Sequence, residues 1–422
     1  MKTVTREEYK TISQYEISSK KEIADAVSEI IENVRQNGDK AVFEYEKKFD
    51  KADLSSLIVT EEEMEKAYES VPKKFIAVLQ RSAKNIRAFH SRQVRKGFSY
   101  KTKETLIGQK IIPIERAGLY VPGGTAAYPS TVLMNVIPAK IAGCKEVCIA
   151  TPPQKDGTIN SVILAAAKIA GVDRVYKMGG AQAIAALACG TESVKKADKI
   201  VGPGNVFVAE AKRQVYGRVS IDMIAGPSEI TVLADEKSEP KFVAADLLSQ
   251  AEHDKNARAI LITPSEELAE KVSCEVDRQL ALLKRREIAS ASIENNGVII
   301  LVKDMEEGIE VANEIAPEHL EICCDDPIKY LDGVKNAGSV FLGRFCPEAL
   351  GDYYAGPNHT LPTSGTARFS SPLSVDDFIK KTQFTYYTEK AFKKAAKDIA
   401  YFAGKEGLQA HAKSALVRVE DK

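Results

Sequence analysis

The chain has 422 residues, enough for about two or three domains of ordinary size, which excludes a small scaffold held together by disulfide bonds. Its 59 Lys and Arg side chains balance its 59 Asp and Glu side chains, so no net charge attracts nucleic acid or an anionic membrane. Hydrophobic residues make up 44% and charged residues 28%, which excludes a mostly disordered or fibrous chain. We therefore expect a soluble, folded protein with locally defined binding sites.

Seven cysteines are scattered along the chain, at too low a density for a secreted disulfide framework. The N-terminus lacks the apolar core of a signal peptide, and no apolar run reaches about 18 residues, so we expect reduced thiols and a cytoplasmic location. Cys144 and Cys148 are a conceivable zinc pair. No second Cys or His pair follows at zinc-finger spacing, however, and buried core cysteines are the favoured interpretation.

The first hundred residues have the pattern of helices. Thr60 and Glu63 form the sequence signature of a capping box. The apolar residues on one helical face are Ile23, Val27, Ile30, Ile31 and Val34. We expect this region to contribute packing and no chemistry.

From Gly118 onward, short strand-like runs alternate with stretches long enough for a helix. GLYV, EVCIA, RVYKM, DKIV and EITVLA form a first series, and ARAILIT, GVIILV and SVFLG form a second. Crossover connections place helices on both faces of a parallel sheet, so each series predicts a Rossmann-like, doubly wound α/β domain. The expected fold class is α/β, with two parallel-sheet domains, one inserted in the other, and small helical extensions at both termini.

We place the domain boundaries where the residue composition and the hydrophobic pattern of the sequence change. We expect an N-terminal helical extension over residues 1–20 and one complete α/β domain over residues 119–235. The other α/β domain is expected to be discontinuous, over residues 21–118 and 236–372. Residues 373–422 are predicted to form a helical tail.

Four of the five histidines lie in motifs rich in carboxylates and amides, namely QAEH, APEH, GDYYAGPNH and EGLQAH. Gln250 and His253 are three residues apart in a predicted helix and project from one face. With Asp352 and His411 they would offer zinc, or a similar divalent ion, two nitrogens, a carboxylate and an amide oxygen. QAEH alone favours a solvent-facing Gln and a satisfied His at a helix end. His90 is interpreted as structural.

Glu318 and His319 adjoin each other where a helical pattern is predicted to stop. A His with an ordinary pKa of about 6.5 accepts protons at neutral pH, and a neighbouring carboxylate can orient it or activate water. The pair is therefore a candidate for proton transfer, with an ordinary surface pair as the alternative. Glu406 and His411 either contact one ligand from different angles or are surface residues.

Glycine-rich loops follow three strand-like runs, at PGG, GGAQ and GPGN, although GxGxxG and GxxxxGK[ST] are both absent. Loops at the carboxyl ends of parallel strands bind ligands in such sheets. Tyr120, Gln182 and Asn205 could thus contact a dinucleotide in an atypical way, or the glycines could only make tight turns. Ser228 lacks the GxSxG setting of a nucleophile, so a polar substrate contact or a cap is the better interpretation.

In combination, these motifs resemble the histidinol dehydrogenase family, the enzymes of the last steps of histidine biosynthesis. The resemblance rests on GLYVPGG, GGAQAIAALACGTESV, DKIVGPGNVFVAEAKRQV, IDMIAGPSEI, SQAEHD, IAPEHLEI, GDYYAGPNHTLPTSGTARFSSPLSVDDF and EGLQAH. These strings run in the family's order from about Gly118 to His411, and together they are highly specific.

The resemblance implies roles for individual residues. Glu318 and His319 would be the proton-transfer pair. The implied zinc ligands, for one ion per subunit, are Gln250, His253, Asp352 and His411, the last reaching the other subunit's site in a domain-swapped homodimer. The implied substrate contacts are Ser228, Gln250, His253, Glu318, Asp352, His359, Glu406 and His411. Tyr120, Gln182 and Asn205 would contact NAD, in the domain at residues 119–235.

The implied reaction is the four-electron oxidation of L-histidinol to L-histidine through bound L-histidinal, with two NAD reduced. His319 would remove the hydroxyl proton, and Glu318 would activate water to hydrate the aldehyde. No nucleic-acid or membrane partner is expected. Two alternatives are a zinc hydrolase, with Glu318 as general base on metal-bound water, and a non-catalytic nucleotide-binding protein.

Overall fold

The computed structural model describes residues 1–12, 21–123 and 127–420. These form two compact units, one of Met1–Gln93 and Ile114–Phe378 and the other of Val94–Pro113 and Ile379–Lys422. None of the described helices combines the length and apolar character needed to cross a lipid bilayer.

The strands of the described residues fall into three sheets. In chain order they are β1 (Lys2–Thr5), β2 (Phe98–Lys101), β3 (Thr105–Pro113), β4 (Arg116–Tyr120), β5 (Glu146–Thr151), β6 (Arg174–Lys177), β7 (Lys199–Val201), β8 (Ser220–Ile221), β9 (Glu229–Ala234), β10 (Arg258–Thr263), β11 (Gly297–Leu301), β12 (His319–Cys323), β13 (Ser339–Leu342) and β14 (Ile379–Tyr387).

Helices connect most of these strands. In chain order they are α1 (Arg6–Ile12), α2 (Lys21–Tyr45), α3 (Glu61–Ser70), α4 (Lys73–His90), α5 (Pro129–Ala142), α6 (Ser161–Ala170), α7 (Gly180–Cys189), α8 (Val206–Val215), α9 (Pro240–Ala251), α10 (Glu266–Leu280), α11 (Arg286–Asn296), α12 (Met305–Ile315), α13 (Glu348–Leu350), α14 (Glu389–Lys405) and α15 (Gln409–Leu416). The predicted capping box is confirmed: Thr60 and Glu63 exchange hydrogen bonds at the start of α3.

A five-stranded parallel sheet has the order β6-β5-β4-β7-β8. Apolar side chains of α2, α7 and α8 cover one face, and those of α4, α5 and α6 cover the other. The strand order reverses direction between β4 and β7, which places a topological switch point at the carboxyl ends of these strands.

A six-stranded parallel sheet has the order β1-β11-β10-β9-β12-β13. Its central strands β9, β10 and β12 are almost completely buried, since α9, α10 and α11 cover one face and residues of α1 and α12 cover the other. The predicted fold class, two doubly wound parallel sheets, is therefore confirmed.

The structure divides the chain differently from the predicted domain boundaries. EITVLA, assigned to residues 119–235, forms β9 at the centre of the six-stranded sheet. The helices of residues 21–93 pack on the five-stranded sheet, although 21–118 was assigned to the other domain. Within the predicted helical extension of residues 1–20, Lys2–Thr5 form the edge strand β1 of the six-stranded sheet and Arg6–Ile12 form a helix, while residues 13–20 lie outside the described residues. A buried apolar strand reads the same in either sheet, so the sequence pattern does not reveal its partners.

The second compact unit contains the antiparallel sheet β14-β3-β2 and the helices α14 and α15. β3 and β14 pair over nine residues, from Ile379 opposite Pro113 to Tyr387 opposite Thr105. Residues 94–113 therefore belong to the same unit as the C-terminal segment. That segment, predicted to be helical, contains the strand β14 before its two helices.

Cys144 and Cys148 are core residues. They belong to the apolar cores on opposite faces of the five-stranded sheet. Burial raises the pKa of Cys144 to about 11 and that of Cys148 to about 12, so both thiols stay protonated. The favoured interpretation of this pair is confirmed, and the zinc alternative is wrong.

Candidate active site

Glu318 and His319 lie at the amino-terminal end of β12, between β9 and β13. A central strand of a sheet covered on both faces buries its side chains, and these two residues are only 7% and 3% exposed. The alternative of an ordinary surface pair is therefore wrong. The loop that leads into β9, with Ser228, reaches the same end of the sheet.

One hydrogen bond fixes the ring of His319. Its Nδ1 lies 2.9 Å from the backbone carbonyl oxygen of Glu229. A carbonyl can only accept, so Nδ1 carries the proton and the lone pair of the neutral ring is on Nε2. Nε2 is buried and has no hydrogen-bond partner among the described residues. Because burial lowers the pKa of His319, the ring is neutral and Nε2 is a free base.

Glu318 is held beside this ring. Its Oε2 accepts a hydrogen bond of 2.9 Å from the backbone N–H of Glu229 and lies 3.6 Å from Nδ1 of His319. Burial raises the pKa of Glu318 well above its usual value, and the nearby carboxylates of Glu229 and Glu348 raise it further. The carboxyl group therefore holds its proton far more strongly than an exposed glutamate.

Asp352 and Glu348 lie near the free nitrogen of His319, and His359 lies beside Asp352. Asp352 Oδ1 lies 3.9 Å from His319 Nε2 and 3.7 Å from His359 Nδ1, and Glu348 Oε1 lies 3.9 Å from His319 Nε2. Burial, and then the charge of Glu348, raise the pKa of Asp352 well above normal. Burial lowers the pKa of His359 to about 4, so its ring is neutral.

Glu348 is a site residue that the sequence reasoning missed. Its backbone N–H donates to Glu321 Oε1 at 2.6 Å, and its Oε2 accepts a hydrogen bond of 3.2 Å from Ser249 Oγ. The signal was a carboxylate four residues before Asp352, one helical turn from a candidate ligand.

The QAEH motif borders the same cluster. Ser249, which contacts Glu348, immediately precedes Gln250 at the end of α9. Gln250 is 1% exposed, so the solvent-facing alternative is wrong for this residue. His253 is exposed, yet it is near enough that its charge lowers the pKa of both His319 and His359.

The donor set at this position fits a divalent cation. Ligand atoms of His319, Glu348 and Asp352 lie within 4.8 Å of one another. Nε2 of His319, a nitrogen that can ligate a metal, is buried without a partner among the described residues, and the carboxyl groups of Glu348 and Asp352 lie side by side. A cation would balance those carboxylates, and carboxylate oxygen with imidazole nitrogen is a set that zinc accepts.

The loop after His359 closes over the start of β9. Gly226 N–H donates to Thr363 Oγ1 at 2.6 Å, and Ser364 N–H donates to Glu229 Oε1 at 2.8 Å. These bonds tie the loop beyond His359 to the segment that carries Ser228.

Glu406 and His411 lie in the second compact unit. Glu406 is the C-terminal cap residue of α14, and His411 belongs to α15. Both side chains are exposed.

The three residues predicted to contact a dinucleotide lie at the carboxyl end of the five-stranded sheet. Tyr120 ends β4, Gln182 is in the first turn of α7, and Asn205 caps α8 with hydrogen bonds of 3.0 and 3.1 Å from two backbone N–H groups. Tyr120 and Gln182 are buried, and Asn205 is exposed. Tyr120 and Asn205 lie at the carboxyl ends of β4 and β7, which flank the switch point where open α/β sheets bind ligands, and Gln182 follows the edge strand β6.

Known proteins resemble the chain over nearly its whole length. The family model described as histidinol dehydrogenase matches residues 14–419. A histidinol dehydrogenase from Clostridium acetobutylicum is 56% identical over 94% of this chain and 92% of its own, and one from Bacillus subtilis is 53% identical over 97% and 98%. The crystal structure of histidinol dehydrogenase from Elizabethkingia anophelis is 41% identical, covers 99% of this chain and 98% of its own, and superimposes with a TM-score of 0.93. The chain therefore belongs to the histidinol dehydrogenase family of NAD-dependent oxidoreductases.

Proposed function

We propose that the chain oxidises L-histidinol to L-histidine at the amino-terminal end of the six-stranded sheet, through bound L-histidinal. The observation that carries this proposal is the free Nε2 of His319, which a hydrogen bond on the other ring nitrogen keeps available as a base. NAD, when bound, accepts a hydride in each of the two oxidation steps.

His319 takes the proton of the substrate hydroxyl at Nε2. The neutral ring is ready for this because burial lowers its pKa, and the Glu229 carbonyl stabilises the imidazolium that forms. Glu348 also lies 3.9 Å from this nitrogen, and its charge favours the charged ring.

Glu318 acts in the second half of the reaction. The aldehyde must add water before a second hydride can leave, and water addition requires a base. A glutamate with a raised pKa is a stronger base, once ionised, than an exposed one. The oxygen of that water becomes the second oxygen of the product carboxylate.

For the metal we propose one zinc ion per subunit, held by Gln250, His253 and Asp352 and completed by His411 of the partner subunit in a domain-swapped homodimer. Bound zinc would supply a Lewis acid that holds the amine and imidazole nitrogens of the substrate. Support comes from the burial of Gln250, which follows Ser249 at the contact with Glu348, and from the neighbouring carboxyls of Asp352 and Glu348. In the same proposal, Ser228, His359 and Glu406 contact the substrate.

For the cofactor we propose that Tyr120, Gln182 and Asn205 hold NAD at the carboxyl end of the five-stranded sheet. The support is the position of Tyr120 and Asn205 beside the switch point, and the hydrogen bond from Gly180, at the start of the helix of Gln182, to the hydroxyl of Tyr120. A cytoplasmic location is also proposed, since the seven cysteines are free thiols.

Histidinol-dependent reduction of NAD, followed by absorbance, tests the function. We expect two NADH per histidinol, loss of turnover after chelation, and recovery when zinc is restored. Metal content is measured on the same samples. No NADH formation by the zinc-loaded protein, together with zinc-dependent ester hydrolysis, would overturn the proposal in favour of a zinc hydrolase.

A further inference from the structure

Glu46 is a buried acid beside the proposed cofactor site. It begins a π-helical turn, Glu46–Asp50, that follows α2, and it is 0% exposed. One of its oxygens, Oε1, accepts two hydrogen bonds, of 3.0 Å from the backbone N–H of Gly179 and of 2.9 Å from Nε2 of Gln182. A helix far away in the sequence thus contacts the loop between β6 and α7.

These two bonds determine how the amide of Gln182 is oriented. Glu46 Oε1 already accepts from Gly179, so it must face the amino group of Gln182. The carbonyl oxygen Oε1 of Gln182 is then turned toward Gly180, where it lies 2.8 Å from the position that a Cβ atom would occupy. The backbone N–H of Gly180 in turn donates to the hydroxyl of Tyr120 at 3.1 Å. The carbonyl is therefore presented at the first turn of α7, close to Tyr120.

The second oxygen of Glu46 does not disturb this orientation. Oε2 is buried without a donor among the described residues, and its carboxyl neighbour is Asp50. Burial and the charge of Asp50 raise the pKa of Glu46 to about 8. Oε1 already accepts two hydrogen bonds, so a proton on the carboxyl group belongs on Oε2, and both protonation states hold Gln182 the same way.

We propose that Glu46 is a positioning residue of the cofactor site, which fixes Gln182 so that its carbonyl oxygen accepts a hydrogen bond from a ribose hydroxyl of NAD. This inference rests on the proposed assignment of Gln182 to the cofactor. Glu46 itself acts through Gln182 and needs only an acceptor oxygen, not a negative charge.

Two substitutions at Glu46 separate hydrogen bonding from charge. Glu46→Gln keeps an acceptor at Oε1 and can donate to Asp50, so we expect the KM for NAD to stay within about twofold of wild type. Glu46→Leu removes the acceptor and frees the Gln182 amide, so we expect the KM for NAD to rise about five- to tenfold with kcat unchanged. Glu146→Leu, at the amino-terminal end of β5 and thus at the opposite end of the strands from Gln182, is the control and should leave this KM unchanged.

Gln182→Leu tests the underlying assignment, and a dinucleotide with a deoxyribose tests the hydroxyl. Wild type should lose affinity for the deoxy analogue, Gln182→Leu should not discriminate, and Glu46→Leu should add nothing in the Gln182→Leu background. If Gln182→Leu leaves the KM for NAD unchanged, the cofactor assignment fails. If Gln182→Leu raises the KM for NAD but folded Glu46→Leu does not, only the inference about Glu46 fails. The same holds if Glu46→Gln raises this KM as much as Glu46→Leu does. If Glu46→Leu does not fold, Glu46→Ala takes its place under the same criteria.

Discussion

Among single residues, a backbone carbonyl decides the chemistry of His319. The oxygen of Glu229 fixes the proton on Nδ1, and burial keeps Nε2 neutral and free of protein partners among the described residues. The same Glu229 peptide unit holds Glu318 through its N–H. One residue at the start of β9 therefore positions both members of the proton-transfer pair.

Replacing His319 by Asn should remove the base and little else. The Asn amide can still donate to the Glu229 carbonyl, but no atom replaces Nε2. We expect histidinol-dependent NADH formation to fall by about 10²–10⁴-fold, with zinc content unchanged. Steady-state rates and metal analysis check this. Loss of zinc in this variant would show that His319 is a metal ligand, as its position near Glu348 and Asp352 would also allow.

Replacing Glu318 by Gln should damage mainly the second oxidation. The amide oxygen can still accept from Glu229 N–H, while the carboxyl base is lost. In a single turnover with histidinol, we expect about one NADH to form quickly and the second to form at least about 10²-fold more slowly. Equal slowing of both steps would contradict the assignment of Glu318 to hydration.

Among the secondary-structure elements, helices of the five-stranded sheet anchor the segment that carries the candidate ligands. Asn85 in α4 donates to the carbonyl of Tyr354 at 2.8 Å, and Thr360 pairs with Asn135 of α5 at 2.8 Å. His90, buried at the end of α4, bonds to Gln93 at 2.7 Å and faces Asn358 at 3.4 Å. These contacts make His90 structural, as predicted.

The stability of the fold should depend on the protonation of His90. Burial lowers the pKa of this ring below its unfolded value of about 6.5, so the unfolded chain binds the proton more tightly. The stabilisation is therefore complete above about pH 6.5 and is lost as the pH falls toward the folded pKa. Urea unfolding at pH 7 and pH 5 should show a smaller loss of stability in His90→Gln than in wild type. The difference should not exceed about 2 kcal/mol, the limit for a single proton over this pH interval, and equal losses would contradict this role.

Gly202 shows how closely the backbone approaches β4. Its φ is +117°, and a Cβ atom there would lie 2.1 Å from the carbonyl oxygen of Tyr120. Gly171 also has a positive φ, of +83°, but open space around it. Gly171→Ala should cost about 1 kcal/mol of unfolding free energy from backbone strain, and Gly202→Ala more than about 2 kcal/mol from strain plus collision. Denaturant titration compares the unfolding free energies of the two variants. Equal losses would show that the loop after β7, which contains Gly202, can move away from β4.

In the molecule as a whole, the proposed metal site requires residues from three distant segments, and His411 lies with α15 in the second compact unit. The proposed domain swap brings that residue from a second copy. In such a dimer, the activity of each site depends on residues of both copies.

Two inactive variants should complement each other if sites are shared. His253→Asn and His411→Asn each lose the metal site, but a mixed dimer contains one site with all ligands intact. After equal mixing and subunit exchange, random pairing predicts about a quarter of wild-type activity. Mixing either variant with itself is the control. No recovery, with exchange shown by differently tagged chains, would mean that each chain builds its own site.

Patterns along the chain are sufficient to predict the α/β class, the buried parallel strands, the capping box at Thr60 and the residues of the site motifs. Each of these is a local or periodic property: an apolar run, a short motif or a spacing along one helix face. The comparisons with known proteins then confirmed the family that those motifs indicate.

Long-range packing, in contrast, determines which sheet each strand joins and what surrounds each reactive atom. The sequence pattern predicts β9 as the last strand of the first series. In the structure it pairs with β10 and β12 in the centre of the six-stranded sheet, and the sequence pattern alone does not show which strands pair. The contact of Glu46 with Gln182 has no sequence signature, since the two residues lie 136 positions apart and meet only in the folded chain. The spacing of Glu348 and Asp352 is visible in the sequence, but their burial beside His319 is not. The lone pair on His319 Nε2 likewise depends on a carbonyl 90 residues away.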